Sequence, residues 1–103
     1  MNNRILYFLK KNSKEFNKKF LAFVQIAKYK DAILQNADDE QMYIEFCDLE
    51  IFINRDKKYH TREFHIKYEN IIECNVSENV LFIKYFDKDQ GDDKITYDFE
   101  IKI

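Results

Sequence analysis

The sequence predicts an α+β fold: one long N-terminal helix packed on an antiparallel meander of five or six strands. Three observations carry the prediction. First, Asn12 stands three residues before Glu15, the pattern of a capping box, and no proline or glycine interrupts the chain from Ser13 to about Asn36. Second, Lys94–Ile103 alternates strictly, with Ile95, Tyr97, Phe99, Ile101 and Ile103 on one side and Lys94, Thr96, Asp98, Glu100 and Lys102 on the other. Third, the apolar runs between residues 42 and 103 are separated by short polar stretches, which favour antiparallel neighbours.

Each element follows in order. At a helical period, Phe16, Phe20, Phe23, Val24, Ala27 and Leu34 share one stripe, which would face the sheet. Residues 36–41 read as a polar connector. Met42–Asn54 reads as one bulged strand or two short ones, interrupted at Asp48. Arg55 to Lys58 is a turn. Tyr59–Tyr68 alternates, with Arg62, Phe64, Ile66 and Tyr68 on one face. Ile71–Val76 and Val80–Phe86 follow, joined by a tight turn at Ser77, Glu78 and Asn79. The second of these is almost wholly apolar and is expected to be buried on both faces or to lie at an interface. Asp87–Asp93 is an acidic hairpin loop in which Gly91 supplies a positive φ. With Gly91 the only glycine and no proline, Asn54, Asn70 and Asn79, with nearby Asp residues, are expected to supply most of the left-handed and turn positions.

The 103 residues suit one domain, 1–103, with a basic helical segment at 1–36 and an acidic sheet at 42–103. The net charge of −2 hides this asymmetry. Residues 1–30 hold eight basic groups and one acid; the remainder holds nine basic groups and eighteen acids. A single glycine excludes the P-loop and the dinucleotide fingerprint. No segment approaches the ~20 apolar residues of a membrane span. Ile5–Leu9 is too short for a secretory signal, so a cytoplasmic protein is expected. Cys47 and Cys74 are then expected to be reduced and buried, although sequence alone does not fix whether they pair.

No catalytic signature emerges. His60 and His65 fall on opposite faces of one strand, and neither cysteine has a histidine beside it in sequence. Cys47, Cys74, His60 and His65 lack the paired spacing of zinc modules. The acidic loop fails the EF-hand register, with Gly91 at its fifth position and Asp92 at its sixth. Glu73, between Ile72 and Cys74, is the carboxylate nearest an apolar setting. No enzyme, cofactor or metal is therefore expected.

The expected function is that of a small protein-binding module. In size and style it is similar to the inhibitors and adaptors carried by phages and mobile elements. Its charged, aromatic surface would bind a protein or a protein–nucleic-acid complex, with acidic mimicry of nucleic acid as one form of this. Asp87, Asp89, Asp92 and Asp93 are the candidate binding residues, and a homodimer is also compatible. The alternative is nucleic-acid or anionic-lipid binding through Lys14, Lys18 and Lys19 on the basic helix.

The run from Arg62 to Glu73, followed by Asn79-Val80-Leu81-Phe82-Ile83, resembles the middle strands of bacterial pleckstrin-homology-like domains. That likeness covers about a quarter of the chain. It implies a phosphoinositide site on a basic inter-strand loop, for which Arg55, Lys57 and Lys58 qualify. The family closes its sheet with a C-terminal helix, whereas this chain ends in a strand.

Overall fold

The computed structural model describes residues 3–55, 63–88, 91 and 93–103. The chain forms one short helix, α1 (Asn3–Lys11), and seven strands: β1 (Lys19–Lys30), β2 (Ile33–Phe46), β3 (Glu50–Asn54), β4 (Glu63–Lys67), β5 (Ile71–Ser77), β6 (Val80–Asp87) and β7 (Ile95–Lys102). A single 3-10 turn, Tyr68–Asn70, separates β4 from β5. The strands make one sheet in the order β4-β3-β2-β1-β7-β6-β5, with every pair antiparallel.

The predicted long helix over Ser13–Asn36 is incorrect, and so is the count of five or six strands, since the sheet has seven. That segment supplies β1 and only the first four residues of β2, which runs on through the expected connector at 36–41; the two strands form a long hairpin at the centre of the sheet. The basic and acidic parts of the chain are therefore not a helical layer on a sheet. Two physical reasons explain the difference. The apolar residues of 20–29 satisfy both periods, and Phe20, Val24, Ile26 and Tyr29 are β-formers, so pairing decides between them. In the strand, Ala22, Val24 and Ile26 point inward and Leu21, Phe23 and Gln25 outward. The second reason is the cap. Asn12 and Ser13 end the preceding helix instead of starting the next. Ser13 has φ 57°, its N–H reaches the Lys10 carbonyl at 3.2 Å, and the Lys14 N–H reaches the Leu9 carbonyl at 2.8 Å. This is the Schellman closure of a helix C-terminus.

The break at Asn70 and the tight turn at Glu78 and Asn79 fall where expected, but the left-handed positions are filled by other residues. Asp31 and Ala32, at φ 50° and 64°, form the two-residue turn of the β1–β2 hairpin. Two left-handed residues match the right-handed twist of the flanking strands. Glu78, at φ 52°, takes the left-handed position in the β5–β6 turn. Asn54, Asn70 and Asn79 are not left-handed. Asn79 instead donates from Nδ2 to the Ile103 carbonyl at 2.6 Å. Gly91 has the expected positive φ of 66°.

The pairing pattern explains the curl of the sheet. Because all hydrogen-bonded pairs are antiparallel, β4 and β5, at its two edges, run in the same sense. A flat seven-stranded sheet would hold these edges about 29 Å apart. Three linking residues span at most roughly 10–13 Å with their flanking bonds. The link therefore draws the edges together and bends the sheet into a half-barrel. Its concave face holds Val24, Met42, Ile44, Phe46, Ile51, Ile53, Ile66, Leu81, Phe99 and Ile101, all buried. Helix α1 adds Ile5, Phe8 and Leu9 to this core. Arg4 Nη1 donates to the Cys74 carbonyl at 2.6 Å and to Asn75 Oδ1 at 2.7 Å, so α1 also ties to the edge strand β5.

Candidate interaction surface on the outer face of the sheet

The core uses one face of each strand, so alternation leaves the other face outward. Strand register then fixes which outward side chains are neighbours. One row runs Glu73, Lys84, Asp98, Ala27, Ala37 across β5, β6, β7, β1 and β2. The next runs Asn75, Phe82, Glu100, Gln25, Asp39 across the same strands. These two rows line a groove of about 670 Å³. Ala27 and Ala37 leave its floor low, and larger side chains stand around them.

Its chemistry is one-sided. Asp39, Glu73, Asp98 and Glu100 line the groove against one basic residue, Lys84, while Asp38, opposite inward-facing Ile26, borders it from the other face of β2. Asp38 is also engaged by Arg55, which reaches Glu40 Oε1 from Nε at 2.5 Å. Asp98 is half-buried, and its Oδ1 is enclosed without a hydrogen-bond partner among the described residues. An enclosed carboxylate oxygen without a donor is costly, and the cost falls when a cation or N–H donor arrives. Phe82, 39% exposed, supplies an aromatic surface in the groove. Leu21 and Phe23 extend the apolar outer surface along β1, at 45% and 40% exposure. β6 is therefore not buried on both faces as its composition suggested, since Phe82 and Lys84 point outward.

The residues singled out in the sequence fall elsewhere. Asp87 ends β6, and Asp93 lies 3.6 Å from Lys30 Nζ, next to the tip of the β1–β2 hairpin. The Asp31 N–H bonds the Lys94 carbonyl at 3.0 Å there. Asp89 and Asp92 lie outside the described residues, as do His60, Lys57 and Lys58. Lys14, Lys18 and Lys19 share no helix. Lys14 Nζ sits 5.2 Å from the Phe20 ring centroid, Lys18 pairs with Glu15 at 2.8 Å, and Lys19 stands opposite Glu45 in the β1–β2 ladder. Glu73 points outward beside buried Cys74. Ile72 is also exposed, because the β5–β6 register shifts between Ile71 and Glu73.

Cys47 and Cys74 are unpaired thiols. Burial, then a 3.2 Å hydrogen bond to Glu45 Oε2, pushes the Cys47 thiol up to about 11. His65 Nδ1 lies 3.5 Å from Glu50 Oε1, and its ring meets Phe52 edge-on. Among the described residues, no group of three or more His, Cys, Asp or Glu side chains is arranged to hold a metal ion. No described helix is long and apolar enough to cross a membrane.

Of the groove residues, Asp98 and Glu100 were readable as the wet side of the last strand. Asp39, Ala27 and Ala37 were not, because their place on the outer face depends on strand pairing. No family model, curated protein or solved structure matches this chain.

Proposed function

We propose that this protein is a non-enzymatic protein-binding module that works through the outer face of its sheet. The observation that supports this reading is the groove across five strands, rimmed by carboxylates and carrying exposed Phe82. An aromatic anchor supplies affinity when it is desolvated, and the surrounding charge steers encounter. An inhibitor or adaptor needs only such a surface. The groove lining contains no histidine, cysteine or serine, so it offers no ready nucleophile–base pair. The acidic loop at Asp87–Asp93 would then assist encounter from the end of the sheet. The competing reading, nucleic-acid or anionic-lipid binding through Lys14, Lys18 and Lys19, has less support because no one helix groups those three residues.

Affinity capture from the native host tests the proposal, using the wild type, Phe82→Ser and a variant with Asp87, Asp89, Asp92 and Asp93 all changed to Asn. A partner retained by the wild type and the loop variant but lost by Phe82→Ser supports it. A partner lost only with the loop variant contradicts it.

A further inference from the structure

We infer that the occupant of the outer-face groove is an extended, lysine- or arginine-rich segment of a partner protein. This rests on the reading of the outer face as the binding surface. Charge complementarity selects the occupant: Asp39, Glu73, Asp98 and Glu100 face Lys84 alone. The groove's span selects the extended form. Five strands cover about 19 Å, which roughly six extended residues cross. Glu73 and Asp98 stand two strands apart, as do Glu100 and Asp39, so each pair is separated by about 10 Å. That is close to the reach of three extended residues. In the polyproline II form of an extended chain, every third side chain shares one face at a spacing of about 9 Å, so basic residues at every third position would meet successive carboxylates. Asp98 Oδ1, enclosed without a donor, gains most from an arriving ammonium or guanidinium. Phe82 offers its ring to the same cation or to its aliphatic stem.

The test uses a fluorescent peptide of about ten residues with lysine at every third position. A glutamate-substituted copy serves as the control. Binding is read by anisotropy, and the site is mapped by amide NMR shifts. The lysine peptide is expected to bind and the glutamate peptide not to bind, with shifts centred on Phe82, Asp98 and Glu100. Asp98→Asn and Glu100→Gln should each weaken binding roughly two- to five-fold. Raising salt from about 50 to about 300 mM should weaken it further. No binding, shifts confined to residues 87–93, or affinity unchanged by both substitutions would overturn the inference. So would displacement of the peptide by a second copy of this chain occupying the groove. If the peptide fails while host-partner capture still depends on Phe82, the basic occupant is wrong and the outer-face reading stands.

Discussion

Asp98 stands between Ala27 on β1 and Lys84 on β6, and its Oδ1 atom is enclosed with no hydrogen-bond partner among the described residues. A carboxylate kept in this state costs stability, which suits a site that awaits a donor. Asp98→Asn removes the charge and retains the shape. The variant is expected to gain about 1 kcal/mol of stability, seen as a higher urea midpoint, while binding its partner less well. A lower midpoint would show that the carboxylate supports the fold.

Among the described residues, five non-glycine residues hold left-handed positions, and at three of them, Ser13, Ala32 and Glu78, the side chain is neither Asn nor Asp, the types that tolerate this region best after glycine. Ser13 closes α1, and Ala32 completes the β1–β2 turn. Ser13→Gly and Ala32→Gly should each stabilise the protein by roughly 0.5–1 kcal/mol. The same change at Ala22, a buried residue within β1, should destabilise it by a similar amount or more. Chemical denaturation of the three variants separates the two behaviours.

Helix α1 completes the core. Phe8 is fully buried among the strand side chains, whereas Tyr7 on the same helix is 56% exposed. Phe8→Ala should cost about 3–5 kcal/mol, a large part of the stability of a domain this size. Tyr7→Ala should change it by no more than about 0.5 kcal/mol. A loss from Phe8→Ala as small as that from Tyr7→Ala would place α1 on the surface.

Alkaline pH should weaken the fold. Burial first, then neighbouring acids, holds the Cys47 thiol at about 11, above its ordinary 9.0. Burial likewise raises the Tyr68 and Tyr97 hydroxyls, and Tyr68 donates to the Cys47 carbonyl at 2.7 Å. In each case the folded state holds its proton more tightly than the unfolded chain. Their contribution is therefore complete below the unfolded pKa and is lost as pH rises through the folded one. The urea midpoint should be level up to about pH 8.5 and fall from about pH 9 to 11. Cys47→Ser should make that fall shallower.

Much of the C-terminal half was legible because its strands alternate cleanly and carry strong β-formers. Ile95, Phe99 and Ile101 face the core as their spacing required, and Cys74 is buried as expected. The N-terminal half was not legible, for local reasons. Residues 20–29 fit two periods. Residues 35–41 are polar and poor strand formers, yet they pair with β1 from Gln41 back to Asn36. Asn12 and Ser13 suit either end of a helix, and tertiary context assigned them to the earlier one. The groove was hidden for the same reason. Its outward aspartates could be read strand by strand, but the meeting of Asp39 with Glu100 across Gln25 exists only once β1 lies between β2 and β7. The acidic loop drew notice because its charges are adjacent in sequence, whereas the groove's charges are adjacent only in space.

Photocrosslinking tests the outer-face surface most directly. A photoreactive phenylalanine analogue at position 82, and in a second protein at position 93, reports which site touches the captured partner. Position 82 should crosslink the partner strongly and position 93 weakly or not at all. Crosslinking from position 93 with none from position 82 would move the binding surface to the acidic loop and contradict the outer-face reading.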